Sequence, residues 1–471
     1  MTAQFETTFA NLGSSFGSYV APTALKDAQL LHYNSALAAN LGLDLPSIKA
    51  LTTASDLPAN CKPFAMVYAG HQFGGYSPQM GDGRGVLLGE LGCNQQLWDL
   101  HLKGVGKTPY SRFGDGRAVL RSSLREYLGS NAMQGLQIPT TQALAIATTS
   151  EQVRRESLEP GAVLLRVSQC HIRFGHFEYF YYQNMQEEQA QLINYCAQRY
   201  LNLNTPNTRD NALALLDMAT QNTAKLIAQW QAIGFAHGVL NTDNMSLIGE
   251  TFDFGPFAFL DDFEPGHICN HSDDQGRYAF DRQANIGLWN LNALAHALSN
   301  FIDIADIKNT LAAYEKVLSS HYYQLMMTKL GLSSTLSEDN QQLLQQLLKL
   351  LAQDRTDYTY FFRTLSRAPD NALDLLIDRA AGQAWLEKYR ACSAHIPESQ
   401  RTTQMLAVNP KYILRNYLAQ QVIESTNNGD LSRLDQLLSV LASPFEEHPA
   451  LDHLAQPPAD KDKHLAVSCS S

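Results

Sequence analysis

The sequence predicts an α+β chain in two lobes, β-rich first and mainly helical second, with a C-terminal extension. Three observations predict it. Residues 64–184 hold glycine-rich turns and alternating runs: across 97–103, Trp98, Leu100 and Leu102 point one way and Asp99, His101 and Lys103 the other, the period of a strand. From Val119 the period lengthens, placing Leu120, Leu124, Leu128, Ala132 and Leu136 on one helical face, with Pro139 as a stop. After about Asn184 helical spacing dominates, in Leu226, Ile227, Trp230 and Ile233, in Leu288, Leu291, Ala295 and Leu298, and in Leu343, Leu344, Leu347, Leu348 and Leu351 behind a Ser337 N-cap.

The expected organisation follows that order. Residues 1–63 form an N-terminal extension with one helical stretch near 25–41. Residues 64–184 form the β-rich lobe, with strands at 86–91 and 97–103, then 163–168 and 171–180 joined by a tight turn. Residues 185–400 form the helical lobe, and 401–471 an extension whose Pro- and charge-rich end after Pro444 lies on the surface. With 471 residues, 45% of them hydrophobic, the chain can bury a large core. No fixed-period repeat is present.

The formal net charge is −11, which argues against a nucleic-acid binder. Residues 81–175 nevertheless hold eleven Lys and Arg against eight Asp and Glu, a local +3. A cationic stretch in an acidic chain suits a small polyanion such as a nucleotide; it also reads as scattered solvated charge. The seven cysteines are widely spaced and none forms a Cys-x-x-Cys pair, which argues against structural zinc and for a reducing compartment, so the expected location is the cytoplasm. Residues 1–22 lack a basic start followed by an apolar run, and no apolar stretch is long enough to span a bilayer, so neither a secretory signal nor a membrane partner is expected.

Four groups of residues carry chemistry. Gly81-Asp82-Gly83-Arg84-Gly85 precedes a strand, and Gly114-Asp115-Gly116-Arg117 precedes the Leu120 helix. Glycine turns admit phosphate oxygens to backbone N–H groups, arginine adds a planar cation, and helix N-termini favour anions; each alone also reads as an ordinary turn. Lys103 at a strand end and Glu126 on the next helix match the ion pair that orients a kinase lysine toward phosphates, or are two unrelated surface charges. Arg166 and Arg173 stand in apolar strand sequence, where an arginine needs an anion, either phosphate or a structural carboxylate. The most specific group is His237-Gly238-Val239-Leu240-Asn241-Thr242-Asp243-Asn244 with Asp253-Phe254-Gly255. Kinases and small-molecule phosphotransferases place an Asp after His-Arg or His-Gly, an Asn five residues later, then Asp-Phe-Gly, the Asn and final Asp holding metal ions on the phosphates. Here Asn244 and Asp253 fill the metal positions, but the base position is Val239, which cannot accept a proton. The adjacent carboxylate is Asp243. The order of segments is that of a protein kinase, a small lobe over a large one with the nucleotide in the cleft.

Gly70-His71-Gln72-Phe73-Gly74-Gly75, the Gly81 turn, residues 103–121, Arg173-Phe174-Gly175-His176-Phe177-Glu178 and the 237–244 loop together resemble the selenoprotein O/YdiU family. Asp253-Phe254-Gly255-Pro256-Phe257, Cys269-Asn270-His271-Ser272-Asp273 and Asn409-Pro410-Lys411-Tyr412 extend the likeness over nearly the whole chain. It implies a kinase-like pseudokinase that binds ATP in reversed orientation and transfers AMP to Ser, Thr or Tyr hydroxyls of proteins; UMP transfer from UTP with manganese is attributed to bacterial members. Carried onto this sequence, Gly81, Gly83, Arg84, Lys103, Asp115, Gly116, Arg166 and Arg173 contact ATP, Glu126 pairs with Lys103, Asp243 accepts the proton, and Asn244 and Asp253 bind Mg²⁺ or Mn²⁺, Asp253 counting also among the nucleotide contacts. Animal members carry selenocysteine near the C-terminus; here that ending holds Cys469, and a reversible Cys269–Cys469 disulfide is expected to pin the loop after Asp253 to the tail, an inert Cys469 being the alternative. Ordinary phosphotransfer and a catalytically dead nucleotide-binding scaffold are the competing functions. Val239 weighs against the first, and the complete metal pair against the second.

Overall fold

The computed structural model describes residues 4–335, 337–463 and 465. Its architecture is mixed α/β, a large antiparallel sheet followed by many helices. Among the described residues the sheet has nine strands. From edge to edge run Gly17–Tyr19, Phe64–Met66, Gly85–Cys93, Gln96–Lys103, Leu158–Ser168, Gln142–Arg154 and Gln29–Tyr33; Phe5–Glu6 adds to Gly85–Cys93, and Ala118–Val119 to Leu158–Ser168. The alternation across 97–103 holds in an unexpected form, because both faces are interior. Leu100 and Leu102 pack in one apolar cluster with Ile48, Leu51 and Leu144, while Asp99, His101 and Lys103 are also buried, so every polar group on that face needs a partner.

Two sequence expectations fail locally. Residues 25–41 are not one helix: Gln29–Tyr33 is an edge strand on Gln142–Arg154, and only Ser35–Asn40 is helical, its first turn capped by the Asn34 side chain. The sheet edge offers unpaired backbone groups that this run satisfies. Residues 171–180 are not a strand either. The hairpin partner of Leu158–Ser168 is Gln142–Arg154, an alanine-rich run of weak strand propensity whose pairing on both sides overrides composition. Residues after Arg173 enter a helix, Phe174–Tyr182, started by an Arg173 N–H donating to His176 Nδ1 at 3.0 Å. Phe174, Phe177 and Phe180 recur every third residue and are fully buried, a helical period mistaken for alternation. Arg173 thus sits at a helix start, not mid-strand.

The helix Leu120–Gly135 carries Glu126 and packs its leucine face on the last helices, Asn416–Asn427 and Ser432–Ala442. The approach is close: a Cβ on Gly135 would lie 1.8 Å from the Leu441 carbonyl oxygen. Leu454 and Ala455 are buried in the same cluster, so part of the tail after Pro444 belongs to the core, correcting the expectation of a surface tail. The helix Thr208–Ile233 ends at Gly234, whose φ of 77° reverses the chain. Phe235–Ala236 then pairs with Ala258–Phe259, and the residues between, 237–257, form the loop excursion that holds the candidate site. Among the described residues no helix is long and apolar enough to cross a membrane.

Candidate active site

The two glycine turns are laced to each other. Gly81 has a φ of 109°, and a Cβ there would lie 2.6 Å from the Tyr110 ring, so only glycine fits. Thr108 Oγ1 donates to the Asp82 carbonyl at 2.7 Å and the Ser111 hydroxyl to the Gly83 carbonyl, holding residues 108–111 against the first turn. At the rim Asp115 accepts from Arg155 Nη1 at 2.7 Å and from the Arg117 N–H at 2.9 Å.

These turns, the sheet and the 237–255 loop line one cavity of about 800 Å³. Arg84, Lys103, Arg112, Arg117, Arg154, Arg155, Arg166 and Arg173 face it against Asp82, Asp115, Asp243 and Asp253. Eight cations against four carboxylates make it a site for a polyanion. Gly81, Gly83, Arg84, Lys103, Asp115, Gly116, Arg166, Arg173, Asp243 and Asp253 all line it; Glu126 and Asn244 do not. Glu126 stands behind the wall, accepting from Lys103 Nζ at 2.7 Å and from Arg166 Nε. Asn244 sits on the loop with its amide donating to the Val239 carbonyl at 3.1 Å. Arg166 also donates to Asp253 Oδ1 at 2.7 Å, so both of its alternatives meet: carboxylates pair it, and it faces the cavity. Arg173 lies 4.4 Å from the Tyr68 ring and 4.5 Å from the Phe252 ring, with Asp82 at 3.6 Å.

Burial and charge set the protonation of these groups. Burial lowers Lys103 to about 8, although Glu126 opposes it. For Asp82 burial works upward, yet His101 and Arg173 outweigh it and hold the carboxyl at about 2. Asp253 follows the same pattern more strongly: burial opposes its charge, but Arg166, Lys103, Arg173 and Arg84 hold it well below the usual carboxylate range. Its backbone is left-handed, with a φ of 59°, a conformation a non-glycine residue keeps only where its surroundings enforce it. Asp243 goes the other way. Burial pushes it up to about 7, and Asp253 adds to the rise. Its Oδ1 is buried with no hydrogen-bond partner, and Oδ2 accepts only a long 3.4 Å bond from Gln72 Nε2.

Gln72 belongs to a hairpin, Gly70–Gln72 with Gly75–Ser77, that clamps the loop. The His71 N–H donates to Thr242 Oγ1 at 2.7 Å, Thr242 donates to Glu178, and His71 Nδ1 lies 2.6 Å from the same carboxylate. A Cβ on Gly70 would lie 2.6 Å from Asp243 Oδ1, so the hairpin reaches the Asp243 carboxylate itself. Sequence reasoning passed over Gln72, His101 and Asp82 as site residues. A signal existed for His101, two residues before Lys103 and therefore on the same strand face; Gln72 offered none beyond its glycine-rich surroundings.

Asn244 and Asp253 bring the oxygen donors that a hard divalent cation prefers. Among the described residues no three His, Cys, Asp or Glu cluster to hold a metal, so a cation here would take its other ligands from phosphate and water, the usual habit of Mg²⁺. The partnerless Asp243 oxygen and the 38% exposed Asp253 side chain leave anionic capacity in the cavity, and the residues fit such an ion. Cys269 is buried beside the loop, its thiol 3.6 Å from the Ala236 carbonyl; Cys469 lies outside the described residues, and with it the expected Cys269–Cys469 pair.

Comparison with known proteins gives the same direction throughout. A family model described as protein adenylyltransferase SelO matches residues 1–442. A protein nucleotidyltransferase YdiU from Pseudomonas fluorescens (strain SBW25) is 48% identical, over 99% of this chain and 98% of that protein. One from Marinomonas sp. (strain MWYL1) is 49% identical over 98% and 99%, and one from Vibrio cholerae is 48% identical over 98% of each. The matched region takes in the glycine turns, the Lys103–Glu126 pair and the 237–255 loop together, and the chain belongs to the SelO family.

Proposed function

We propose that this chain is a protein nucleotidyltransferase that moves AMP from ATP to Ser, Thr or Tyr hydroxyls of proteins, with UTP as a second donor. Its architecture in this proposal is the kinase-like two-lobed one, with an extension at 1–63, a nucleotide-gripping lobe at 64–184, a helical lobe at 185–400 and a closing extension at 401–471. The cytoplasm is the proposed site of action.

The observation that carries the reading is what one cavity brings together: a cationic wall and Asp243, a carboxylate with a partnerless oxygen and a pKa near neutrality, while the usual base position is Val239. Arg84, Lys103, Arg166 and Arg173, with the backbone of Gly81, Gly83 and Gly116 and the Asp115 rim, grip the terminal phosphates and leave the α-phosphorus facing the loop. Asp243 takes the proton from the acceptor hydroxyl as its oxygen bonds to the α-phosphorus. The bond from that phosphorus to the bridging oxygen breaks, and pyrophosphate departs against the same cations. A divalent ion, Mg²⁺ or Mn²⁺, on Asn244 and Asp253 would supply charge neutralisation and polarise the α-phosphoryl oxygens. Glu126 holds Lys103 and Arg166 in place throughout.

The test is the position of label. Incubated with a protein acceptor and either α- or γ-labelled ATP, the chain transfers α-label into protein. Transfer of γ-label alone would establish ordinary phosphotransfer, and no transfer with tight ATP binding would establish a scaffold.

A further inference from the structure

A second cavity, of about 240 Å³, lies apart from the nucleotide wall, and its walls are mainly apolar: Leu136, Ile138, Ile233, Leu325 and Phe445 among them. Into this setting the helix Ala313–Lys329 delivers its last residue, Lys329, which is only 5% exposed. A buried ammonium ordinarily finds a carboxylate. Here Nζ lies 4.5 Å from the Phe362 ring centre and 5.5 Å from that of Tyr358, and among the described residues no carboxylate stands within ion-pair distance. Most other polar groups nearby are engaged, Arg363 Nε and Asn409 Oδ1 being buried exceptions. The Tyr358 hydroxyl donates to the Ala232 carbonyl at 3.0 Å, and Arg363 donates to the Leu406 and Asn409 carbonyls at 3.1 and 2.9 Å and to Glu447. In the cavity wall Gln229 Oε1 is buried with no hydrogen-bond partner. The rim, at Gln137, Thr328 and Ala407, is exposed, so the amine has a path to solvent.

We infer that Lys329 and this cavity form a covalent binding site for short apolar aldehydes, which the ε-amine captures as an imine. The lone pair of neutral Nζ bonds to the carbonyl carbon as the carbonyl π pair moves to oxygen. A proton passes from nitrogen to that oxygen, giving a carbinolamine whose hydroxyl donates to Gln229 Oε1. Water then leaves with the oxygen, and a C=N bond remains. No electrons are gained or lost overall, and no co-reactant is needed. Burial supports the chemistry by lowering Lys329 to about 7, so near neutrality much of the amine is unprotonated, against roughly one part in 2,500 for an ordinary lysine. The cavity size limits the partner to a short chain. Its walls include residues 136–138, directly after the helix that carries Glu126, so an occupant touches the segment that follows that helix's C-terminal end.

Reductive alkylation tests this on the full wild-type chain. The protein is treated at pH 7 with butanal and sodium cyanoborohydride, and the peptides are mapped by mass spectrometry over time. Lys329 is expected to be butylated at least tenfold faster than the exposed Lys225 and Lys388, with labelling half-maximal near neutral pH. Gln229→Leu is expected to slow Lys329 several-fold without altering the exposed lysines, and pyridoxal phosphate, large and anionic, to label Lys329 far less than butanal does. Labelling of Lys329 no faster than the exposed lysines would overturn the inference, as would equal labelling by the two aldehydes.

Discussion

Asp253 and Asp243 share one cavity and differ in almost everything else. Around Asp253 stand Arg166, Lys103, Arg173 and Arg84, and its charge is held against burial. Around Asp243 the close neighbours are Gly70, Gln72 and its own loop; burial dominates, and the carboxyl rises to about 7. The same side chain is thereby given two chemistries. One carboxylate is permanently anionic and suited to a cation; the other is poised to take and return a proton near neutrality. The number of cations within reach decides which, and the backbone sets that number: the left-handed turn at Asp253 aims its carboxylate at Arg166, while the Gly70 hairpin closes over Asp243 and leaves one oxygen unpaired.

The largest effect is expected at the cation-rich end. Asp253→Asn removes a charge that acts on Arg166, Lys103 and Arg84 and that the metal would need. AMP transfer, read as adducts by intact-protein mass spectrometry, should fall on the order of 10³-fold or more. Near-wild-type transfer would erase the distinction between the two aspartates.

Asp243→Asn comes next. Loss of a general base typically lowers the rate by roughly 10²–10⁴-fold. For the wild type, transfer should rise with pH through about 7, the range in which Asp243 loses its proton; a profile already flat from pH 5 would mean that Asp243 is not the proton acceptor. The same shift has a consequence for stability. The native pKa lies above the unfolded value near 3.8, so the native state holds the proton more tightly. That contribution is fully present below about pH 3.8 and is lost as pH rises through about 7. At pH 8 the buried charge therefore destabilises the fold, and Asp243→Asn should be more stable than wild type by about 1–4 kcal/mol. The difference should vanish below pH 4. A difference between variant and wild type of the same size at pH 8 and pH 4 would contradict this.

The sequence carried the ends of this comparison better than its middle. Val239, Asp243, Asn244 and Asp253 were legible because their spacing is fixed by local loop geometry, and Lys103 with Glu126 because a strand end and a helix face can both be read from periodicity. What stayed hidden depends on elements distant in sequence. Gln72 meets Asp243 across 171 positions, and no local pattern announces that contact. The strand Gln142–Arg154 was obscured by its alanines, since its pairing comes from neighbours on both sides and not from its own composition. The helix after Arg173 was misread because Phe174, Phe177 and Phe180 sit among other aromatics, which blurs a three-residue period into alternation.

The smallest expected effect sharpens the comparison most. Gln72 is the side chain donating to Asp243, through a 3.4 Å bond, and a donor to a carboxylate favours its charged form. Gln72→Leu removes that donor while keeping bulk, so the Asp243 pKa should rise further and the pH–rate curve should move to higher pH. At pH 7 the loss should be several-fold, and at pH 9 most of it should be recovered, because enough base is then deprotonated regardless. A structural defect in the hairpin would behave differently, lowering transfer by the same factor at every pH. Equal loss at pH 7 and pH 9 would therefore assign Gln72 to holding the Gly70 hairpin in place, and would leave burial alone to explain why Asp243 differs from Asp253.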